Sequence, residues 1–170
     1  MQTESVKLYS LRYGEARTYI TAALFVIGNM VLPQLCHLVP DGGRMLLPIY
    51  FFTLVAAYKY GWRAGLLTAV ASPVANSLLF GMPMATALPA ILLKSVLLAV
   101  TAGAMAARFR KASLWMLAVV VLGYQAVGTL GEWAIVGNLY AAAQDFRMGL
   151  PGMLLQIVGG WAVINLLIRK

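Results

Sequence analysis

Lys94 and Glu132 are ionisable side chains set inside apolar runs, in a chain that otherwise keeps its charges between such runs. An ionised group in hydrocarbon costs from about 3 to well over 10 kcal/mol, so it needs a partner or a task. The chemistry open to them is recognition: the ammonium suits an anionic or electronegative group, the carboxylate a cation or a donor. Asn29, Asn76, Gln125 and Gln156 place neutral amides in the other apolar runs, where each serves either to hold helices together or to touch a ligand. Trp133, beside Glu132, adds a flat ring for ligand or lipid; Tyr124 and Trp161 put further aromatic surface near the amides.

Catalytic constellations are missing. The sequence has no GxxxxGK[ST] phosphate loop, no HExxH, no nucleophile elbow and no close pair of carboxylates. A single cysteine, Cys36, and a single histidine, His37, give no metal-ligand spacing, and adjacent helical side chains diverge too far to form a dyad. A non-enzymatic protein without metal or cofactor is expected.

The elements that must position these residues are membrane helices. With 62% hydrophobic and 11% charged residues, the chain has too little polar surface to cover a soluble globule. At about 20 residues per span, the apolar runs divide near 18 to 38, 45 to 60, 64 to 82, 84 to 107, 113 to 137 and 148 to 168. The expected fold is an all-α integral membrane protein with six transmembrane helices. Residues 1–17 form a cytoplasmic N-terminal segment and 18–170 a single membrane domain, the first span serving as its own insertion signal.

Net charge is +8, but the basic residues lie in short clusters beside apolar runs and offer no face for tracking phosphates, so nucleic acid is not an expected partner. Lys7, Arg12, Arg17, Lys59, Arg63, Arg108, Arg110, Lys111, Arg169 and Lys170 all fall on one side of a six-span layout. The positive-inside rule makes that side, and both termini, cytoplasmic. The external connection Val39–Arg44, with Pro40, paired glycines, Asp41 and Arg44, reads as a lid. The other external connection, 137–149, carries Asn138, Tyr140, Gln144, Asp145 and Arg147, for which contact with water is the favoured reading over contact with a ligand.

Counting residues from the cytoplasmic anchors at 1.5 Å each puts Asn29, Asn76, Lys94, Gln125 and Gln156 in one layer, roughly 18 to 21 Å above them. Glu132 falls about 10 Å further out, which makes it a rim candidate; a snorkelling lysine stem leaves direct pairing with Lys94 open, as the less favoured reading. Pro73, Pro83 and Pro89 are expected to break or bend the third and fourth spans, opening an outward pocket. Small-residue stripes, Gly61/Gly65/Ala69 and Ala99/Gly103/Ala107, allow close helix packing inside the bundle or against a partner.

The stretch from Leu47 to Gly65, LPIYFFTLVAAYKYGWRAG, in a basic six-span chain of this length, resembles the substrate-binding S component of an energy-coupling factor (ECF) transporter. The resemblance implies a vitamin-binding subunit of a bacterial cytoplasmic (inner) membrane, its external pocket capped by the loop between the first two spans. It also implies a separate transmembrane coupling subunit and cytoplasmic ATPases as partners. In such a protein Lys94, Glu132, Asn76, Gln125, Gln156, Trp133 and Asn29 are the candidate contacts to a small water-soluble nutrient, with Asp41 and Arg44 on the lid. One departure is that Ala22 and Ala23 are followed four residues on by Val26 and Ile27, where family members often carry alanines four apart. The alternative reading is a non-catalytic scaffold of a membrane or cell-envelope complex, with the polar layer holding helices together.

Overall fold

The computed structural model describes residues 7–167; the first six residues of the expected N-terminal segment, and the basic pair Arg169 and Lys170, lie outside the described residues. The described chain is helical, with no strand among the described residues. Three helices are long and apolar enough to cross a membrane: α1 (Ala16–Cys36), and two further helices of 22 and 23 residues described below.

After α1 the chain turns through α2 (Gly42–Leu46), a single 3-10 turn (Pro48–Tyr50), α3 (Phe51–Tyr60) and α4 (Trp62–Phe80). The second apolar run is therefore not one helix, as the sequence suggested. Pro48 supplies no N–H and disfavours the helical region for the residue before it, and Leu47 sits at φ 47°, ψ 46°. Asp41, at φ 54°, bounds α2 on its other side, so α2 is a separate helical turn rather than the start of α3.

α5 (Leu88–Phe109) carries Pro89 in its first turn, where a missing N–H costs nothing. α4 runs through Pro73 unbroken to Gly81, and Pro83 lies in the connection between α4 and α5. α6 (Leu114–Val136) is capped by Ser113, whose Oγ accepts from Met116 N–H, and is closed by Gly137 at φ 73°. Two short turns follow, α7 (Leu139–Ala142) and α8 (Gln144–Met148). The last helical run comprises α9 (Leu150–Leu154) and α10 (Gly160–Ala162), joined and extended by wider π-helical turns at Leu155–Gly159 and Val163–Leu167.

Short as it is, α3 is the centre of the bundle. Leu54, Val55, Ala56, Ala57 and Tyr58 have no exposed surface, and α1, α4 and α5 all pack against it. Gly65 lets α4 lie directly on Ala57, and Gly103 of α5 lies against Trp62, so both small-residue stripes serve internal packing; Ala107, by contrast, is exposed. The outer faces invert the pattern of a soluble protein. On α1, Ile20, Leu24, Ile27, Val31 and Leu35 point outward, while Thr18, Thr21 and Asn29 point in. Such an apolar exterior suits lipid.

The two ends of the bundle differ. At one, Tyr9 N–H donates to Lys59 O (2.8 Å), Tyr58 Oη–H to Lys111 O (2.6 Å) and Asn165 Nδ2–H to Ala112 O (3.2 Å), gathering the N-terminal segment, the end of α3, the α5–α6 connection and the last helical run. Lys59, one of the basic residues assigned to the cytoplasmic side, is buried there with Nζ 5.9 Å from the Tyr9 ring centroid. The opposite end holds a cavity.

Candidate functional site

The cavity has a volume of about 820 Å³. Pro33 and His37 of α1, the 39–44 segment, Leu47 to Tyr50, the 82–87 connection, and side chains from α4, α5, α6 and α8 line it. Asp41 and Arg44, the expected lid residues, stand on this lining and face each other at 3.6 Å, both largely exposed.

Lys94 forms the centre of the wall. Its side chain is 2% exposed, and Nζ lies 2.5 Å from Glu132 Oε2 and 2.7 Å from Asp145 Oδ2. The stem crosses α6 at Gly128, where a Cβ would lie 2.6 Å from Lys94 Cγ; only glycine leaves room for it. An ammonium that cannot reach water is thus held by two carboxylates, which offsets its desolvation.

Direct pairing of Lys94 with Glu132, left open but not favoured by residue counting, is thus present in the structure. Helical Cα–Cβ bonds tilt toward the N-terminus of their own helix. α5 starts at the cavity end and α6 at the opposite end, so Lys94 leans outward while Glu132 leans back inward. The two tilts and the length of the lysine stem close the gap that residue counting places between the backbones. A signal was present: Gln125, Gly128, Thr129 and Glu132 follow at i, i+3, i+4 and i+7, one polar face of α6 with a glycine opposite the lysine.

Asp145 is the residue that sequence reasoning placed in water. α8 folds back against α2 and α6, and with Ala142 of α7 buried and Phe146 of α8 packed on the core, Asp145 beside Phe146 is turned to Lys94. Tyr140 and Arg147 point outward and hydrogen-bond to one another. The pattern Ala142, Asp145, Phe146 was legible, but in so short a segment it does not decide which face is covered. Tyr50 is the other missed contributor: it lines the cavity, nearly fully buried, with its ring centroid 5.6 Å from that of Tyr124.

The amides separate. Asn29 spends both N–H groups on Thr53 Oγ1 and Ser72 Oγ, each at 3.1 Å, and its Oδ1 accepts from Phe52 N–H at 3.1 Å. It fastens α1 to α3 and α4 and has no donor left for a ligand. Asn76 lies on the cavity wall and donates to Asn29 O (3.0 Å) and Ser72 O (2.9 Å). Gln156 accepts from Tyr124 Oη–H at 2.9 Å, away from the cavity lining, and Gln125 is buried off the lining with no hydrogen-bond partner among the described residues. Trp133 faces outward, 45% exposed, because a neighbour of the inward Glu132 is rotated about 100° from it. Of the seven expected contacts, the structure brings Lys94, Glu132 and Asn76 to the cavity and leaves Asn29, Gln125, Gln156 and Trp133 off its lining.

Among the described residues, no three of His, Cys, Asp and Glu gather as a metal site. The arrangement is suited to non-covalent recognition: a charged cluster, the Gly/Pro-containing 39–44 segment, and apolar Met82, Pro83, Met84 and Ile91 share one lining. No family model matches the chain, nor does any curated protein or solved structure.

Proposed function

We propose that this chain is a membrane-embedded substrate-binding subunit for uptake of a small water-soluble, vitamin-like nutrient, of the S-component kind. Its six apolar runs span a bacterial cytoplasmic membrane with both termini on the cytoplasmic face, so the cavity opens outward. The run containing α3 crosses as the buried centre of the bundle, completed by the 3-10 turn and α2 at its outer end. A separate transmembrane coupling subunit and cytoplasmic ATPases supply the energy, since the sequence has no phosphate loop of its own.

The observation that carries this reading is the cavity of about 820 Å³, of a size for a small molecule, with an ionic cluster built on the buried Lys94 in its wall and a Gly/Pro-containing segment on its lining. A scaffold has no need of such a cavity, although its polar layer could be the same. Ligand entering between the 39–44 segment and the Lys94 wall would be enclosed when that segment settles over it.

The test is to purify the protein from its native membrane, denature it and identify released small molecules by mass spectrometry. A stoichiometric water-soluble compound that raises the thermal midpoint when added back is the expected result. A stable protein partner with no such compound, in preparations from several growth media, would establish the scaffold instead.

A further inference from the structure

Resting on the binding-subunit reading, we infer that the cavity selects a ligand with a cationic or strongly N–H-donating head group, such as an ammonium, an amidinium or a protonated heterocycle. An isolated buried lysine would argue for an anion. Lys94 is not isolated: two of its three N–H donors are taken by Glu132 and Asp145. Accessibility runs the same way, since the lysine side chain is 2% exposed and the carboxylate side chains 22% and 16%. A ligand therefore meets the acceptors before it meets the ammonium.

Charge distribution points in the same direction. The chain carries thirteen basic residues and five acidic ones, yet three of those five, Asp41, Glu132 and Asp145, line the cavity, against Arg44 and Lys94. Arg44 faces Asp41, so the unbalanced charge on the lining is the second carboxylate beside Lys94. His37, also on the lining, is the one further titratable base there among the described residues.

Asn76 is an independent witness. Its two N–H groups are committed to the backbone carbonyls of Asn29 and Ser72, which fixes the amide orientation, and the atom left buried without a partner is the acceptor Oδ1. A ligand supplying donors satisfies both this oxygen and the free lone pairs of the carboxylates. An anion approaching the remaining N–H of Lys94 would lie beside two carboxylates and face their repulsion.

The experiment compares three probes of one shape and different charge, benzamidine, benzamide and benzoate, by calorimetry and thermal shift on the purified protein at millimolar concentration. Benzamidine is expected to bind about tenfold or more tightly than either of the others. Glu132→Gln and Asp145→Asn are each expected to erase about tenfold of that preference, with the ligand-free thermal midpoint recorded to show that each variant is folded. The wild-type comparison alone decides the matter if a variant does not fold. Benzoate binding as tightly as benzamidine, or equal binding of all three, would overturn the charge class while leaving the cavity a binding site. Failure of every probe to bind would count against both the charge class and the binding-subunit reading.

Discussion

Replacing Lys94 by Met keeps the stem and deletes the charge, which makes it the sharpest probe of the buried cluster. Nζ is 2.5 Å from Glu132 Oε2 and 2.7 Å from Asp145 Oδ2, which holds the two oxygens within about 5 Å of each other. Without the ammonium they repel by about 3 kcal/mol at an effective dielectric of about 20, and both carboxylates lose their counter-ion in a site that excludes most water. The expected loss is about 3–5 kcal/mol. At about 2–4 °C per kcal/mol for a chain of this size, the thermal midpoint in detergent should fall by roughly 6–20 °C. Adding Glu132→Gln removes one of the two unpaired charges, so the double variant should regain more than about 1 kcal/mol relative to additive single losses. Midpoints of Lys94→Met, Glu132→Gln and the double variant, read by fluorescence-detected size exclusion after heating, complete the cycle. Additivity within about 0.5 kcal/mol would refute the contact and with it the account of how α5 and α6 lean together.

Gly128→Ala should destabilise by about 1–3 kcal/mol, because the new methyl meets the Lys94 stem; Gly123→Ala, whose Cβ meets nothing within 4 Å, should be neutral or gain up to about 1 kcal/mol, as thermal midpoints will show. Asn29→Ala removes three hydrogen bonds joining α1, α3 and α4, two of them buried, and should cost about 2–4 kcal/mol, while a released native ligand added back to the folded variant binds within about twofold of wild type. Trp133→Ala should leave that affinity unchanged to the same margin, since the ring faces away from the cavity; a larger loss in titration calorimetry would return Trp133 to the site.

Helix positions were readable because lipid-facing and interior surfaces both demand apolar or small residues in long runs. α1, α4, α5, α6 and the last helical run lie close to the expected bounds. The second run was misjudged because composition reports apolarity, whereas Pro48 and the left-handed Leu47 decide whether the backbone continues as helix. Burial of the polar layer was likewise legible: Asn29, Asn76, Lys94, Gln125 and Gln156 are all at most 2% exposed. What each member does was not, since an amide inside a bundle is equally able to bond a neighbouring helix or line a cavity.

By itself, then, the sequence determined that the chain is helical and apolar outside, that Lys94 and its polar companions are buried, and that a Gly/Pro segment carrying Asp41 and Arg44 joins the first two apolar runs. Tertiary structure alone decided which charges meet. Residue counting measures backbone depth along one helix, but side chains on antiparallel helices tilt in opposite directions, and that tilt joins Lys94 to Glu132. The return of α8 over the bundle brings Asp145 to the same ammonium. A lone buried cation thereby becomes a cluster with one negative charge to spare.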